Sequence, residues 1–294
     1  MKDAKQWSEP AGRANPAESR SLRVFELGGG SVTGTLHRKA GKPLQDAFGW
    51  RRGPRSLVAV VCDGCGSSPH SEVGARLGTR LFCEAIGARL DAGLAVDDPI
   101  LWQRVRAEVL AELGRLATAM GGAWIDAIAD HFLFTVMGAA VTESSTAIIG
   151  AGDGVYAING EVCVLEAGPE NRPAYVGYGL LDPGGADSEL AIHAVRPTAD
   201  IDSILLGTDG VTDILSSEHR AVPGRDQHVG AISRFWCDDF LFANRDGVRR
   251  RLAVLARDHQ TLDWDQRRVD RAPGLLRDDT TIVVLRRAPA GVLS

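Results

Sequence analysis

Acidic residues stand at or beside the ends of four apolar runs in this chain. Asp63 closes Leu57-Val58-Ala59-Val60-Val61-Cys62 and opens Asp63-Gly64-Cys65-Gly66. Asp153 follows Ser144 to Gly152, Asp209 ends Ile204-Leu205-Leu206-Gly207-Thr208, and Asp278-Asp279 precedes Thr280 to Leu285. Short apolar runs rich in β-branched residues read as buried strands. An aspartate at such an end sits on the rim of a core. Several carboxylates gathered there repel one another unless cations lie between them. Hard divalent cations such as Mg²⁺ and Mn²⁺ take oxygen ligands of this kind. The pattern therefore argues for a carboxylate metal centre built on strand ends.

One Asp-Gly pair alone means only a turn. The set carries more, because its order matches one family's pattern. The segments Gln45-Asp46-Ala47, Val61-Cys62-Asp63-Gly64-Cys65-Gly66, Gly152-Asp153-Gly154, Gly207-Thr208-Asp209-Gly210 and Asp278-Asp279-Thr280-Thr281 resemble the metal-dependent protein serine/threonine phosphatases of the 2C type. The resemblance runs from about Gly34 to Leu285. It implies an α+β fold, a four-layer α-β-β-α sandwich of two facing antiparallel sheets with helices outside. The metal cluster is expected in a cleft at one end of the sandwich.

By the same resemblance, Asp63 bridges two Mn²⁺ or Mg²⁺ ions with the Gly64 carbonyl as a further ligand. Asp209 and Asp278 complete the second ion's shell, and Asp46 holds the first through its water. Asp153 and Asp213 match the residues of a third, weaker site. The implied reaction is in-line attack of a metal-bridging hydroxide on a phosphomonoester, with no covalent intermediate. The implied substrates are phosphoserine and phosphothreonine of proteins, opposite a Ser/Thr kinase. Asp279 fills the place of a frequent asparagine and is not assigned to metal.

The chain also departs from the pattern. Many relatives carry an arginine shortly before the first acidic motif to grip phosphate; here the stretch is His37-Arg38-Lys39-Ala40-Gly41-Lys42-Pro43-Leu44. Arg38 could grip phosphate through its fork of donors. His37 could do the same or protonate the leaving alkoxide. Gln45-Asp46 replaces a more usual Asn-Glu or Glu-Asp pair, Cys65 replaces a common histidine, and Phe134-Thr135-Val136 replaces a Gly-Thr-Thr. These changes point to a divergent bacterial branch with its own phosphate grip.

The elements that must carry these residues are legible in outline. Val24 to Leu27 and Ser31 to Leu36 read as strands around Gly28-Gly29-Gly30, and His37 to Leu44 as a polar loop. Ser71 to Leu90 has helical apolar spacing, with Ser71 as its cap. Asp98-Pro99 starts a second helix, which Gly121-Gly122 breaks. Strands are expected at Phe132–Val141, Ser145–Ile149, Val155–Ile158 and Val162–Leu165, with Asn159-Gly160 as a tight turn. The Gly- and Pro-rich segment from Gly168 to Gly185 reads as a loop, and the resemblance implies that it lies where bacterial relatives vary beside the active site. Further strands follow at Leu190–Val195, Ile201–Leu206 and Ile282–Leu285, with a partly helical stretch from Ser233 to Asp258.

The 294 residues suit one catalytic domain over 21–288, with a disordered tail at 1–20 and a C-terminal tail at 289–294. A net charge of −5 offers no nucleic-acid surface. No apolar stretch approaches the roughly 20 residues that a spanning helix needs, and the polar start lacks a secretion signal's apolar centre. No membrane association and a cytoplasmic location are expected. Five cysteines, an odd number, agree with that; Cys62 and Cys65 form the one Cys-x-x-Cys pair, a weak redox candidate without the second pair that zinc would require. Two alternatives stay open: a catalytically inactive binding or sensing module, and a hydrolase of small phosphoesters.

Overall fold

A run that is apolar at every position, such as Ser-Leu-Val-Ala-Val-Val-Cys, buries both of its faces, so layers must cover it on each side. The computed structural model, which describes residues 22–168, 173–182 and 189–288, shows those layers. The expected tails at 1–20 and 289–294 lie outside the described residues, as do 169–172 and 183–185 of the expected loop from Gly168 to Gly185, whose described part carries a short helix, α5(Tyr178–Leu181).

One five-stranded antiparallel sheet has the order β2(Ala47–Arg52), β3(Ser56–Cys62), β4(Val136–Thr142), β5(Ser145–Ala151), β8(Ala191–Pro197). The other has the order β1(Phe25–Val32), β12(Thr280–Arg287), β9(Ser203–Gly207), β6(Gly154–Ile158), β7(Glu161–Leu165). Leu57, Ala59 and Val61 of β3 meet Ile204, Leu206, Val283 and Leu285 between the sheets. The alternate residues Val58, Val60 and Cys62 face outward against Phe82, Ile86, Leu101 and Val105. These last belong to α2(Ser71–Asp91) and α3(Pro99–Met120). On the far side, Leu205, Ile282 and Val284 pack against Val248 and Leu252 of α9(Gly247–Ala256). Period-two alternation thus divides each strand between two cores, and the four-layer α-β-β-α sandwich follows.

Several boundaries differ from the sequence reading, each for a physical reason. Gly28-Gly29-Gly30 is not a turn but the middle of β1. A Cβ at Gly30 would lie 2.4 Å from the Arg249 backbone N, and one at Gly29 2.8 Å from the Phe48 ring. The glycines let α9 and two aromatic rings approach the strand. After β1 the chain forms a short helix, α1(Thr35–Ala40), where a loop was expected. The strand expected from Phe132 starts only at Val136, because Trp124–His131 is a helix, α4, that Phe132 ends. Ser71 is not a cap: its hydroxyl donates to the Cys65 carbonyl (2.9 Å) and accepts from Gln45 Nε2 (2.7 Å). Asp98 does cap α3, its carboxylate accepting from the Ile100 N–H at 2.9 Å ahead of Pro99. Asn159 and Gly160 both take positive φ, as a two-residue hairpin turn demands. The helical part of 233–258 is three short pieces, α7(Arg234–Cys237), α8(Phe240–Ala243) and α9. An exposed hairpin of β10(His259–Asp263) and β11(Arg268–Ala272) follows, with no counterpart in the sequence reading.

Candidate metal centre

Antiparallel register brings the acidic residues to one end of the sandwich. Ala47 pairs with Cys62, so Asp46 and Asp63 flank the same rung. Ile282 and Val155 both pair with Gly207, which brings the chain around Asp153, Asp209 and Asp278 to the neighbouring sheet's matching end. Asp153 sits in the two-residue crossing from β5 to β6, and its neighbours Gly152 (φ 96°) and Gly154 (φ 139°) take backbone angles that L side chains rarely adopt. Asp209 joins β9 to α6(Val211–Ser216). The stretch before β4 clamps the Asp63 loop: Thr135 N–H donates to the Asp63 carbonyl (2.8 Å) and Cys65 N–H to that of Leu133 (2.9 Å). That clamp is why the strand starts late.

The electrostatics are those of a cluster short of positive charge. Burial, then the nearby carboxylates of Asp46 and Asp209, push Asp63 well above the usual carboxylate range. Asp46 is raised by burial and then by the charge of Asp279. Burial, followed by Asp153 and Asp278, pushes Asp209 up to about 7. Asp153 is raised too, by burial first and also by Asp278. Asp46 Oδ2 accepts from the Thr208 hydroxyl (2.7 Å), which in turn accepts from the Thr281 N–H (3.1 Å). That relay ties the Asp46 side of the cluster to the other sheet. Two buried carboxylate oxygens of the cluster, Asp46 Oδ1 and Asp153 Oδ1, have no hydrogen-bond partner. A cation satisfies both the leftover lone pairs and the repulsion among buried like charges, as shared protons do in its absence. The donor set, all hard oxygen, suits Mg²⁺ or Mn²⁺.

The remaining sequence candidates are placed differently. Asp213 Oδ2 accepts the Arg277 N–H (2.6 Å) and so ties α6 to the segment entering Asp278. Arg38 is not brought to the cluster. Its guanidinium donates to Thr33 O (2.9 Å) and Ala256 O (2.6 Å), clamping α1 to the end of α9, and Asp258 lies 3.7 Å away. His37, expected in a loop, is instead in α1 and reaches the cluster's edge, with Nε2 3.7 Å from Asp278 Oδ1 and Nδ1 2.9 Å from Asp279 Oδ2. Gly64 is held by its N–H on the Gln45 carbonyl (3.2 Å).

Two residues outside the candidate set also shape the site. Thr208 lay inside a quoted motif, but its cross-sheet bond is invisible in one dimension. Asp279 accepts the N–H groups of Gly34 (2.8 Å) and Gln45 (2.7 Å) and fixes both ends of the α1 segment. All five cysteines are free. Cys62 is fully buried, and Cys65 is hydrogen-bonded to Ser67 (3.2 Å).

Comparisons with known proteins bear on the family and the fold. The family model described as protein phosphatase 2C matches residues 33–255. The chain belongs to that family, the metal-dependent protein serine/threonine phosphatases. No curated protein matches its sequence. Among solved structures, an arginine-to-glutamate variant of a bacterial serine phosphatase superposes with a TM-score of 0.50 at 17% identity, covering 90% of this chain and 99% of that one. A C. elegans sex-determining protein gives 0.51 at 14% identity, over 90% of this chain and 65% of that one. The Staphylococcus aureus serine/threonine phosphatase Stp1 gives 0.48 at 15% identity, over 95% and 99%. At such identities the likeness speaks to fold. The family match ends before Asp278, so that residue's place in the cluster is a finding of the structure.

Proposed function

We propose that Asp46, Asp63, Asp153, Asp209 and Asp278, with the Gly64 carbonyl, hold two divalent cations, Mn²⁺ or Mg²⁺, and that the protein thereby removes phosphate from phosphoserine and phosphothreonine. Asp213, beside Asp278, would border a weaker third ion. The observation that carries the reading is the buried carboxylate cluster itself, its members raised by burial and then by one another's charge and left with unpartnered oxygens. When bound, such cations lower the pKa of a coordinated water toward 7 and draw phosphoryl oxygens to themselves.

The chain's own residues position that chemistry. Thr208 holds Asp46 Oδ2 so that Oδ1 stays turned to the cluster. The Thr135 and Leu133 backbone bonds fix the Asp63 loop on both sides. Asp278, with 51% of its side chain exposed, stands at the open rim where a phosphorylated side chain enters. His37 is the basic side chain beside that rim, since Arg38 is committed elsewhere. Reduced cysteines throughout fit a cytoplasmic protein acting opposite a Ser/Thr kinase.

The test is hydrolysis of an aryl phosphate, a phosphothreonine peptide and a panel of phosphometabolites, with Mn²⁺, Mg²⁺ or chelator, beside Asp63→Ala and Asp209→Ala. Metal-dependent turnover of the peptide that both substitutions abolish is expected. Turnover confined to phosphometabolites would replace the protein substrate with a small one, and metal binding without any turnover would leave a binding module.

A further inference from the structure

We propose that His37 is a nitrogen ligand to a divalent cation shared with Asp278, and that Asp279 is the positioning residue that orients it. The inference rests on the carboxylate centre proposed above and adds a donor of another chemistry. One ligand atom from each of His37, Asp278 and Asp279 lies within 4.8 Å of the other two. The imidazole is largely buried, at 14% exposure, so its orientation is set by packing and not by solvent. Nδ1 lies 2.9 Å from Asp279 Oδ2 in an ion-pair contact that is not aligned as a hydrogen bond, and Nε2 lies 3.7 Å from Asp278 Oδ1.

The two acids differ in what else they do. Asp279 is 2% exposed and both its oxygens are anchored by backbone N–H groups, Oδ1 by Gly34 and Oδ2 by Gln45. It is a fixed post with neutral donors already in place, so it does not depend on a histidine cation for satisfaction. A carboxylate beside one ring nitrogen, with the other nitrogen toward a metal, is the outer-shell arrangement that histidine ligands use, and the 2.9 Å contact places Asp279 to complete it. Asp278 is its opposite: half-exposed, anchored only by the Asp279 N–H (2.8 Å), and close enough to Asp209 and Asp153 for its charge to act on both. It links the carboxylate cluster on one side to the imidazole on the other. The N···O gap of 3.7 Å is wide for a hydrogen bond, and a cation held by both atoms would fill it.

The consequence is selectivity. Mg²⁺ favours oxygen ligands, whereas imidazole strengthens binding of first-row transition ions. The centre is expected to prefer Mn²⁺ to Mg²⁺ through His37.

The test uses tag-free full-length protein. Mn²⁺ and Mg²⁺ affinities are measured by calorimetry for the parent, His37→Gln, His37→Ala and Asp63→Ala, and pulsed electron paramagnetic resonance reads nitrogen coupling to bound Mn²⁺. Melting curves establish that the variants are folded, and His37→Gln guards against collapse of the cavity in His37→Ala. The parent is expected to show nitrogen coupling that both His37 variants lack. Their Mn²⁺ affinity should fall by about tenfold or more, the cost of losing even an outer-shell partner, with Mg²⁺ affinity little changed. If the parent binds Mn²⁺ and Asp63→Ala does not, while nitrogen coupling is absent or the Mn²⁺-to-Mg²⁺ ratio is unchanged in His37→Gln, this inference alone falls and His37 is an ion-pair partner of Asp279. A parent that binds neither ion overturns it together with the proposed centre.

Discussion

Asp63 sits between two other carboxyl groups with no basic side chain among the influences acting on it, and burial adds to the cost of its charge. Such a residue serves function at the expense of the metal-free fold. Asp63→Asn keeps shape and hydrogen-bonding capacity while removing one charge from the cluster. The metal-free variant should melt several degrees above the metal-free parent, since about 1 kcal/mol moves a domain of this size by roughly 2–4 °C. It should also lose metal-dependent hydrolysis. Calorimetric melts in chelator decide the matter, and a lower melting temperature for Asp63→Asn would show that repulsion is not what raises Asp63. Thr208 makes the opposite contribution. Thr208→Val is close in shape but leaves the buried Thr281 N–H without its acceptor and Asp46 Oδ2 without its donor. A loss of about 1–3 kcal/mol is expected, with weaker metal binding; denaturant unfolding that shifts by less than about 0.5 kcal/mol would leave the cross-sheet relay without structural weight.

At the scale of elements, what could be read from the sequence depended on whether a segment's burial leaves a trace in its own residues. The strands β3, β4, β5, β9 and β12 are apolar nearly throughout because they lie between layers, and their ends delivered Asp63, Asp153, Asp209 and Asp278 as expected positions. Strand β2 is half-exposed, with Gly49 in its middle, and gave no such signal. The hairpin of β10 and β11 is mostly polar and exposed, so no core face marks it. Helix α1 was hidden by Gly34 and Gly41 at its two ends, and with it went the true surroundings of His37 and Arg38. Arg38 illustrates the limit: residue type suggested a phosphate grip, but only the fold reveals that the Ala256 carbonyl claims its donors. The glycines of β1 divide the expected strand in two, because close approach by a distant helix leaves no local mark. Gly30→Ala tests that reading. Its Cβ would meet Arg249 backbone atoms at 2.4 and 2.5 Å, so α9 must shift. Overpacking of this kind costs typically about 1–3 kcal/mol, and an unchanged unfolding midpoint would mean that α9 yields freely.

The whole molecule carries the cluster's charge in its response to pH. Asp209 stands at about 7 in the folded protein against an ordinary value of 3.8, and Asp46, Asp63 and Asp153 are displaced in the same direction, each chiefly by burial. Between those two values the unfolded chain has released the proton that the folded, metal-free chain still holds. Stability therefore falls as pH rises through this window and levels off above it. For Asp209 alone the shift of about three pKa units corresponds to roughly 4 kcal/mol, or on the order of 10 °C in melting temperature for a chain of this size. The metal-free protein should thus melt highest near pH 4–5, and progressively lower toward pH 7. Saturating Mn²⁺ should cancel the slope above about pH 5, because a cation binds the ionised cluster, so that folded and unfolded chains then hold equal numbers of these protons. Melting curves across pH in chelator and in Mn²⁺ would display a falling line and a level one that diverge toward neutral pH. Parallel lines would mean that the carboxylates are not what the cation binds, and a metal-free protein that gains stability from pH 4 to 7 would mean that their mutual repulsion does not govern the fold.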